Sequence, residues 1–444
     1  MLTGDDDLSF SVEPIAPLEA ARLFIEKISK PARILAAVSG GSDSTGLLLA
    51  LHRALTEISR RDISLHAVTI DHALRAGSAD EARGVAALCA GHDIPHYIRR
   101  WDGEKPATGI SAAARLARYD LIGAVAADIG ADVIAIGHTL GDQQETIAMR
   151  VARSERSDNL GLAGMADAVL YAGRHWIVRP FLSSMREDIR NFLSEQRQSW
   201  YDDPSNEDAK YERVRMRNLL PEPQRKLIDQ SINRSTLSWS SAEWLEKQAE
   251  SYLDCLIKIS AAGLQDDPTI VRYALSALAS VIGGRRFAMA SDSMDRVMAF
   301  VTKGEPGRVT AGRVVFDLRK DALYLTRENR DIPSSAVAAG ATALWDERFE
   351  ITNLSARTLS IGGKDARRAV ELPASIPKGV AKRVMQTRPT IEIEGDQGPV
   401  LKAGEVVIRP LLAPYDLFLP RFDLGLANAI ARLIGRSPYP QPPV

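Results

Sequence analysis

Cysteine is almost missing from this chain: two residues, Cys89 and Cys255, in 444. Thiols so few and so far apart exclude a disulfide framework and any Cys-x-x-Cys metal or redox site, and they suit a reducing compartment. Histidine is scarce too, with seven residues and no metal-ligand spacing among them. An excess of either charge is also lacking. Lysine and arginine number 56 against 57 aspartate and glutamate, a formal net charge of −1, so no global basic field announces a nucleic-acid partner. Any such surface must be a local patch. No apolar run is long enough to span a bilayer. The opening MLTGDDDLSF is acidic and lacks the basic and apolar regions of a signal peptide. These absences predict a cytoplasmic protein with no membrane partner. No internal repeat is visible.

What is present is an ordinary globular balance, 45% hydrophobic and 25% charged, on a chain too long for one core, so two or three domains are expected. Apolar runs at 34–38, 63–71 and 131–138 read as buried strands, with 94–100 as a further strand. Between them, 18–30, 45–55, 80–92, 111–129 and 142–153 carry helical spacing. Strands alternating with helices predict an α/β domain over residues 1–220, its parallel sheet covered on both faces. Ligands in such sheets bind beyond the carboxyl ends of the strands. The loops after Val38 and Gly137 lie at such ends. From about residue 221 the strand signal fades. Residues 225–263 and 269–282 read as helices, followed by a hairpin over 307–328 turning near Lys320 and Asp321. A mostly helical domain is therefore expected over 221–330, a linker over 330–342, and a small α/β domain over 343–444.

The stretch ILAAVSGGSDSTGLLLAL, residues 34–51, joins a strand to a helix through a glycine-rich turn. Such a turn is an anion site, because free N–H groups point outward and the helix dipole adds positive potential. Gly40 and Gly41 let backbone approach a phosphate, and Ser39, Ser42 and Ser44 add hydroxyl donors. A Walker A loop would supply a lysine, which is absent here. Asp43 stands in its place, and an acid beside phosphate makes sense only with a cation between them, Mg²⁺ being the usual one.

Ser-Gly-Gly-x-Asp-Ser resembles the pyrophosphatase loop of the PP-loop ATP-pyrophosphatases, which split ATP into AMP and pyrophosphate. DHALR (71–75), SAAARLARYD (111–120), GHTLGDQQET (137–146), GLAGM (161–165), RPFLSSMREDIRNFL (179–193) and WYDDPSNEDAKYERVRMR (200–217) narrow the resemblance to the tRNA(Ile)-lysidine synthetase family. It is dense over about residues 30–220 and thinner beyond. The resemblance implies a Rossmann-like, adenine-nucleotide α-hydrolase-like domain. It also implies adenylation of the C2 oxygen of the wobble cytidine in an isoleucine tRNA with anticodon CAU. The ε-amine of free L-lysine then displaces AMP. ATP and Mg²⁺ are the implied cofactors. The resemblance puts Ser39, Gly40, Gly41, Ser42, Asp43 and Ser44 on the phosphates, with Asp43 and Asp142 on the metal. Asp71 and His72 fall beside the nucleotide, Arg75 in the same motif, and Arg115 on a helix facing the active site. His138, Asp142 and Glu145 form a second motif around metal and lysine. Two positions depart from the pattern: Gly141, where the family has an acid or amide before Asp142, and Val214, where it has asparagine. Glu145, one helical turn below Asp142, is a substitute for the missing ligand.

Residues 210–226 carry Lys210, Arg213, Arg215, Arg217, Arg225 and Lys226 against Glu212 and Glu222. Arginines at 213, 215 and 217 cannot share one helix face, but an extended segment could lay them along a phosphate backbone. With Arg75 and Arg118 they are the candidate tRNA contacts. Trp200 and Tyr201 are candidates to stack on anticodon bases. His52 and His66 read as packing residues. Asp142 alone, at a helix start, would read as a cap. Two rival readings stay open: another PP-loop tRNA-modifying ligase, which the scarcity of cysteine disfavours, and a non-catalytic ATP-binding protein, which the acids disfavour. A homodimer is the assembly held open.

Overall fold

The computed structural model describes residues 13–74, 77–153, 160–202, 231–363, 372–393, 402 and 404–444. These fall into two compact units, one reaching to Arg234 and joined by the last four residues, the other spanning Ser235–Pro440.

The first unit is built on strands β1 (Ala32–Ala37), β2 (Ile63–Asp71), β3 (His96–Arg100), β4 (Val133–Ile136), β5 (Ala168–Tyr171) and β6 (His175–Val178). Their order is β5-β6-β4-β1-β2-β3. All neighbours are parallel except the β5–β6 hairpin. The chain winds outward from β1 through β2 to β3, then returns to β4 on the other side. The β1–β4 boundary is thus the point where strand order reverses, the position where doubly wound sheets bind ligands. Central placement explains the composition of β1: Ile34, Leu35 and Ala36 are fully buried, as a strand covered on both faces requires.

Among the described residues this unit carries helices α1 (Pro17–Lys27), α2 (Ser42–Glu57), α3 (Ser78–Gly91), α4 (Ile110–Ile129), α5 (Leu140–Arg153) and α6 (Arg186–Glu195), of which α2, α3 and α4 pack on its strands. Helix α2 buries Leu47, Leu48, Leu49, Ala50 and Leu51. At Gly46 it presses against α6 so closely that a Cβ would collide with Ile189. Among the described residues no helix is long and apolar enough to cross a membrane.

The second unit differs from expectation in its strand content. The helix expected over 225–263 ends earlier: α7 (Ser231–Gln248) stops, and β7 (Ala249–Tyr252) and β8 (Leu256–Ser260) form a hairpin. Leu253 and Asp254 both adopt φ near +50° in its two-residue turn, which no Gly or Asn announces. The hairpin expected over 307–328 is a three-stranded meander, β9 (Gly307–Ala311), β10 (Val314–Leu318) and β11 (Ala322–Arg327). Its extra turn is made by Gly312 and Arg313, both at positive φ. The five strands pair as β7-β8-β11-β10-β9, with α8 (Pro268–Gly283) against β10 and β11. Two three-stranded antiparallel sheets follow. One holds β12 (Ser335–Val337), β15 (Leu359–Gly362) and β16 (Thr390–Ile393), the other β13 (Thr342–Trp345), β14 (Phe349–Asn353) and β17 (Val406–Pro410). Tyr324, Val337, Trp345, Phe349, Ile361 and Val384 share one core. Asp346, fully buried, ties the halves together by accepting from Arg313, Arg327 and Arg348. A buried carboxylate needs such partners.

Candidate active site

The two loops at the strand-order reversal lie in contact. Val38 N–H donates to Val68 O at 2.8 Å, carrying β1 to the sheet edge before the chain turns at Gly40, φ +91°. There Ser44 Oγ accepts from Ser39 N at 3.1 Å and donates to Gly41 O at 3.2 Å, closing the loop on itself. No side chain caps α2, whose first turn contains Asp43. Its orphan N–H groups and dipole present the donors that an anion site needs. Gly137 follows β4. A Cβ there would stand 2.8 Å from Asp43 O and 3.1 Å from Ser44 Cα, so only glycine lets the second loop lie against the first.

Asp142 caps its own helix and is also the candidate site residue of this loop. Its Oδ2 accepts from Thr139 N and Thr139 Oγ1, each at 2.9 Å, reaching back from the third helical position in the manner of a capping box. The same oxygen lies 4.0 Å from Arg186 Nη2. Arg186 grips Asp43 at closer range: Nη2 is 2.9 Å from Oδ2, and Nε is 3.2 Å and 3.0 Å from Oδ1 and Oδ2. The cause is the tight α2–α6 packing. Asp43 and Arg186 each stand three residues before the pair that touches, Gly46 and Ile189, hence one turn above it on facing helices. The starts of α2, α5 and α6 therefore meet at one point. Burial opposes the charge on Arg186, but attraction and hydrogen bonding from Asp43, then the fields of Asp142 and Glu145, hold its pKa above the ordinary value. Glu145 is buried on α5, one turn below Asp142.

His138 is oriented from behind. Arg179, at the end of β6 and only 8% exposed, donates from Nε to His138 Nδ1 at 3.0 Å and from Nη1 to Ala166 O at 2.6 Å. An arginine can only donate, so Nδ1 must be the accepting nitrogen and the neutral ring carries its proton on Nε2. Burial pushes Arg179 down, while Tyr119 hydrogen-bonds it. Arg115 lies over the Tyr119 ring at 5.1 Å. It thus reaches the neighbourhood of His138 through Tyr119 and Arg179.

Asp71 and His72 lie at the end of β2, the adjoining strand. Asp71 Oδ1 accepts from Ser78 Oγ at 2.6 Å and Ala73 N at 2.8 Å, and the Ser78 bond chiefly holds its carboxyl below the usual range. Burial, with Arg118 alongside, pushes His72 down to about 4. Arg118 Nε donates to His72 Nε2 at 3.3 Å. Of the stacking candidates, Tyr201 rests its ring on Gly40 and Gly84 and donates its N–H to Gly40 O at 2.9 Å, bracing the loop. The Trp200 ring lies below Arg190, at 5.8 Å. His52 pairs edge-on with His92 and His66 stacks on Tyr97, both away from this site. Arg75, Arg213, Arg215 and Arg217 lie outside the described residues.

Arg179 and Arg186 were missed by sequence reasoning, although both lie in RPFLSSMR, quoted above only for resemblance. Arg186 carried a local signal: a cation opening a helix opposes the helix dipole. Gln143 and Arg150 were missed as well. Gln143 accepts from Met165 N at 2.6 Å, and Arg150 donates to Gly161 O and Gly164 O at 2.8 and 2.7 Å, pinning GLAGM to α5.

Among the described residues no three His, Cys, Asp or Glu side chains cluster to hold a metal alone. Two carboxylates joined through a cation suit a divalent ion that takes its other ligands from phosphate. The PP-loop domain family matches residues 16–223. A tRNA(Ile)-lysidine synthase of Rhizobium meliloti (strain 1021) is 44% identical over 97% of this chain and 98% of its own. That of Mesorhizobium japonicum is 39% identical over 92% and 94%, and that of Brucella melitensis 33% over 91% and 95%. A solved U34-tRNA thiolase from Methanococcus maripaludis overlaps 46% of this chain and 70% of its own at 14% identity, with a TM-score of 0.39. Identity at the level of the first three, running nearly end to end in both partners, places the chain plainly: it belongs to the tRNA(Ile)-lysidine synthase family.

Proposed function

We propose that this chain is a ligase that converts the wobble cytidine of an isoleucine tRNA with anticodon CAU to lysidine, consuming ATP and free L-lysine. The observation that carries the reading is the meeting of Asp43 and Asp142 at Arg186, beside an uncapped helix start at the strand-order reversal. In the first half-reaction the cytidine C2 oxygen attacks the α-phosphorus of ATP and pyrophosphate leaves. In the second, the lysine amine attacks C2, AMP leaves with its bonding pair, and the amine loses its proton.

Loop residues Ser39–Ser44 and the starts of α2, α5 and α6 hold the polyphosphate. Asp43 and Asp142 would hold Mg²⁺, which when bound would neutralise charge building on the departing pyrophosphate. His138, its Nδ1 occupied by Arg179, offers Nε2–H as a donor beside the reacting groups. Asp142 and Glu145 attract the lysine ammonium, and one of these carboxylates accepts its proton. Asp71 and His72 line the nucleotide side, with Arg118 bonded to His72 and Arg115 over Tyr119. For the RNA, Arg75, Arg118, Arg213, Arg215 and Arg217 are the proposed phosphate contacts, and two copies of the chain the proposed assembly.

Incorporation of labelled lysine into a CAU-bearing isoleucine tRNA transcript, with Mg·ATP, tests the reading. Stoichiometric, ATP-dependent transfer is expected, with none to the same transcript carrying a methionine acceptor stem. ATP binding without transfer would refute it and favour a non-catalytic nucleotide binder.

A further inference from the structure

The loop lacks the lysine that P-loop enzymes place on phosphate, yet a cation stands at its mouth. We propose that Arg186 is the resident counter-ion of Asp43 and Asp142 in the nucleotide-free protein. When a divalent cation takes those carboxylates, Arg186 turns to the polyphosphate as a catalytic residue. The inference rests on the ATP and Mg²⁺ reading above and adds the exchange of partners by Arg186, which that reading does not assign.

The geometry points this way on three counts. First, the guanidinium engages both oxygens of Asp43, with Nε within 3.2 Å of each and Nη2 2.9 Å from Oδ2. A Mg²⁺ ion needs carboxylate oxygen at about 2.0–2.1 Å. The fork already occupies both oxygens, so cation and arginine draw on the same carboxylate and compete for its charge. Second, the Arg186 side chain is 34% exposed and Asp43 20%, so the guanidinium lies at the opening rather than locked in the core. It can re-aim without repacking, because its helix is anchored one turn below at Ile189 against Gly46. Third, Arg186 opens α6, where the dipole disfavours a cation and Glu187 and Asp188 follow the usual rule. Its placement there is accounted for by the carboxylates before nucleotide binds and by phosphate afterwards. A planar fork on a flexible stem suits both partners.

The test separates the two halves. Mn²⁺ is titrated into the full-length protein without nucleotide, with bound metal read by electron paramagnetic resonance. Mn²⁺ with a non-hydrolysable ATP analogue is then followed by calorimetry. A charge-assisted pair of this kind is worth about tenfold in an equilibrium. Arg186→Met should therefore bind Mn²⁺ alone roughly tenfold more tightly than wild type, and the Mn²⁺-loaded analogue at least about tenfold more weakly. Arg186→Lys should recover part of the analogue affinity. If Arg186→Met melts early, Arg186→Gln replaces it in both titrations. A folded variant with unchanged or weaker Mn²⁺ affinity overturns the counter-ion role, and unchanged analogue affinity overturns the phosphate role. Wild type that binds metal but not the analogue would refute the ATP reading itself, and the phosphate role with it.

Discussion

Replacing Gly137 by alanine tests whether contact between the two loops makes the site. The new methyl would sit 2.8 Å from Asp43 O, 2.9 Å from Asp43 C and 3.1 Å from Ser44 Cα. Non-bonded heavy atoms are comfortable at about 3.5 Å, so the loops must separate by roughly 0.7 Å. The obstacles are backbone atoms of a helix start, which cannot swing aside as a side chain can. Overpacking of this kind costs about 1–3 kcal/mol, or a fall of roughly 2–12 °C in the melting temperature of a unit this size. The catalytic cost is larger, because a displacement approaching 1 Å between reacting groups removes about 100-fold in rate. Gly141→Ala is the control: a Cβ there meets only Thr139 Oγ1 at 3.7 Å, so it fits without adjustment. Lysine transfer and thermal melting are measured on both variants. Gly137→Ala should lose at least about 30-fold in kcat, and Gly141→Ala less than about threefold. Equal, small effects would refute the claim that direct contact of the loops aligns Asp43 with Asp142.

Asp43→Asn should nearly abolish pyrophosphate release while leaving the circular dichroism spectrum unchanged; wild-type turnover would remove Asp43 from metal binding. Arg179→Met frees His138 Nδ1, so nitrogen NMR should show the ring leaving the pure Nε2–H tautomer while kcat falls with little change in the KM for ATP. An unaltered tautomer would show that Arg179 does not set it. His72 titrates near 4 in the folded protein against an ordinary value of 6.5. Between those values the unfolded chain takes up a proton that the native state refuses. Stability should therefore fall as pH drops through this window, by about 1.4 kcal/mol per unit from this group, with no loss from it above pH 6.5. Denaturant titrations at pH 7.5 and 4.5 should show His72→Gln losing less stability than wild type. Equal losses would mean that His72 is not the group responsible.

Much of the first unit was legible because periodicity and burial agree there. Strands buried on both faces write continuous apolar runs, and β1, β2 and β4 fall within a few residues of where those runs lie. The second unit was less legible. Strands β7 and β8 are short and joined by Leu253 and Asp254 at positive φ, where local chemistry announces no turn. Tertiary pairing with β11 holds them in place.

The same division runs through the site. The glycine-rich turn, its missing lysine and the acid in its place are local facts, readable because an anion site needs only a strand end, a turn and a helix start. That Asp142 lies across from Asp43, that Gly137 must be glycine, and that Arg186 meets Asp43 and Arg179 meets His138 could not be read the same way. Those residues are separated by up to 143 positions between Arg186 and Asp43. Only the order β6-β4-β1 and the packing of α6 on α2 bring them within hydrogen-bond reach. Sequence by itself determined which chemistry was available. Tertiary structure decided which charges meet, because ion pairing depends on distance in space, and that distance is set by packed helices rather than by neighbours along the chain.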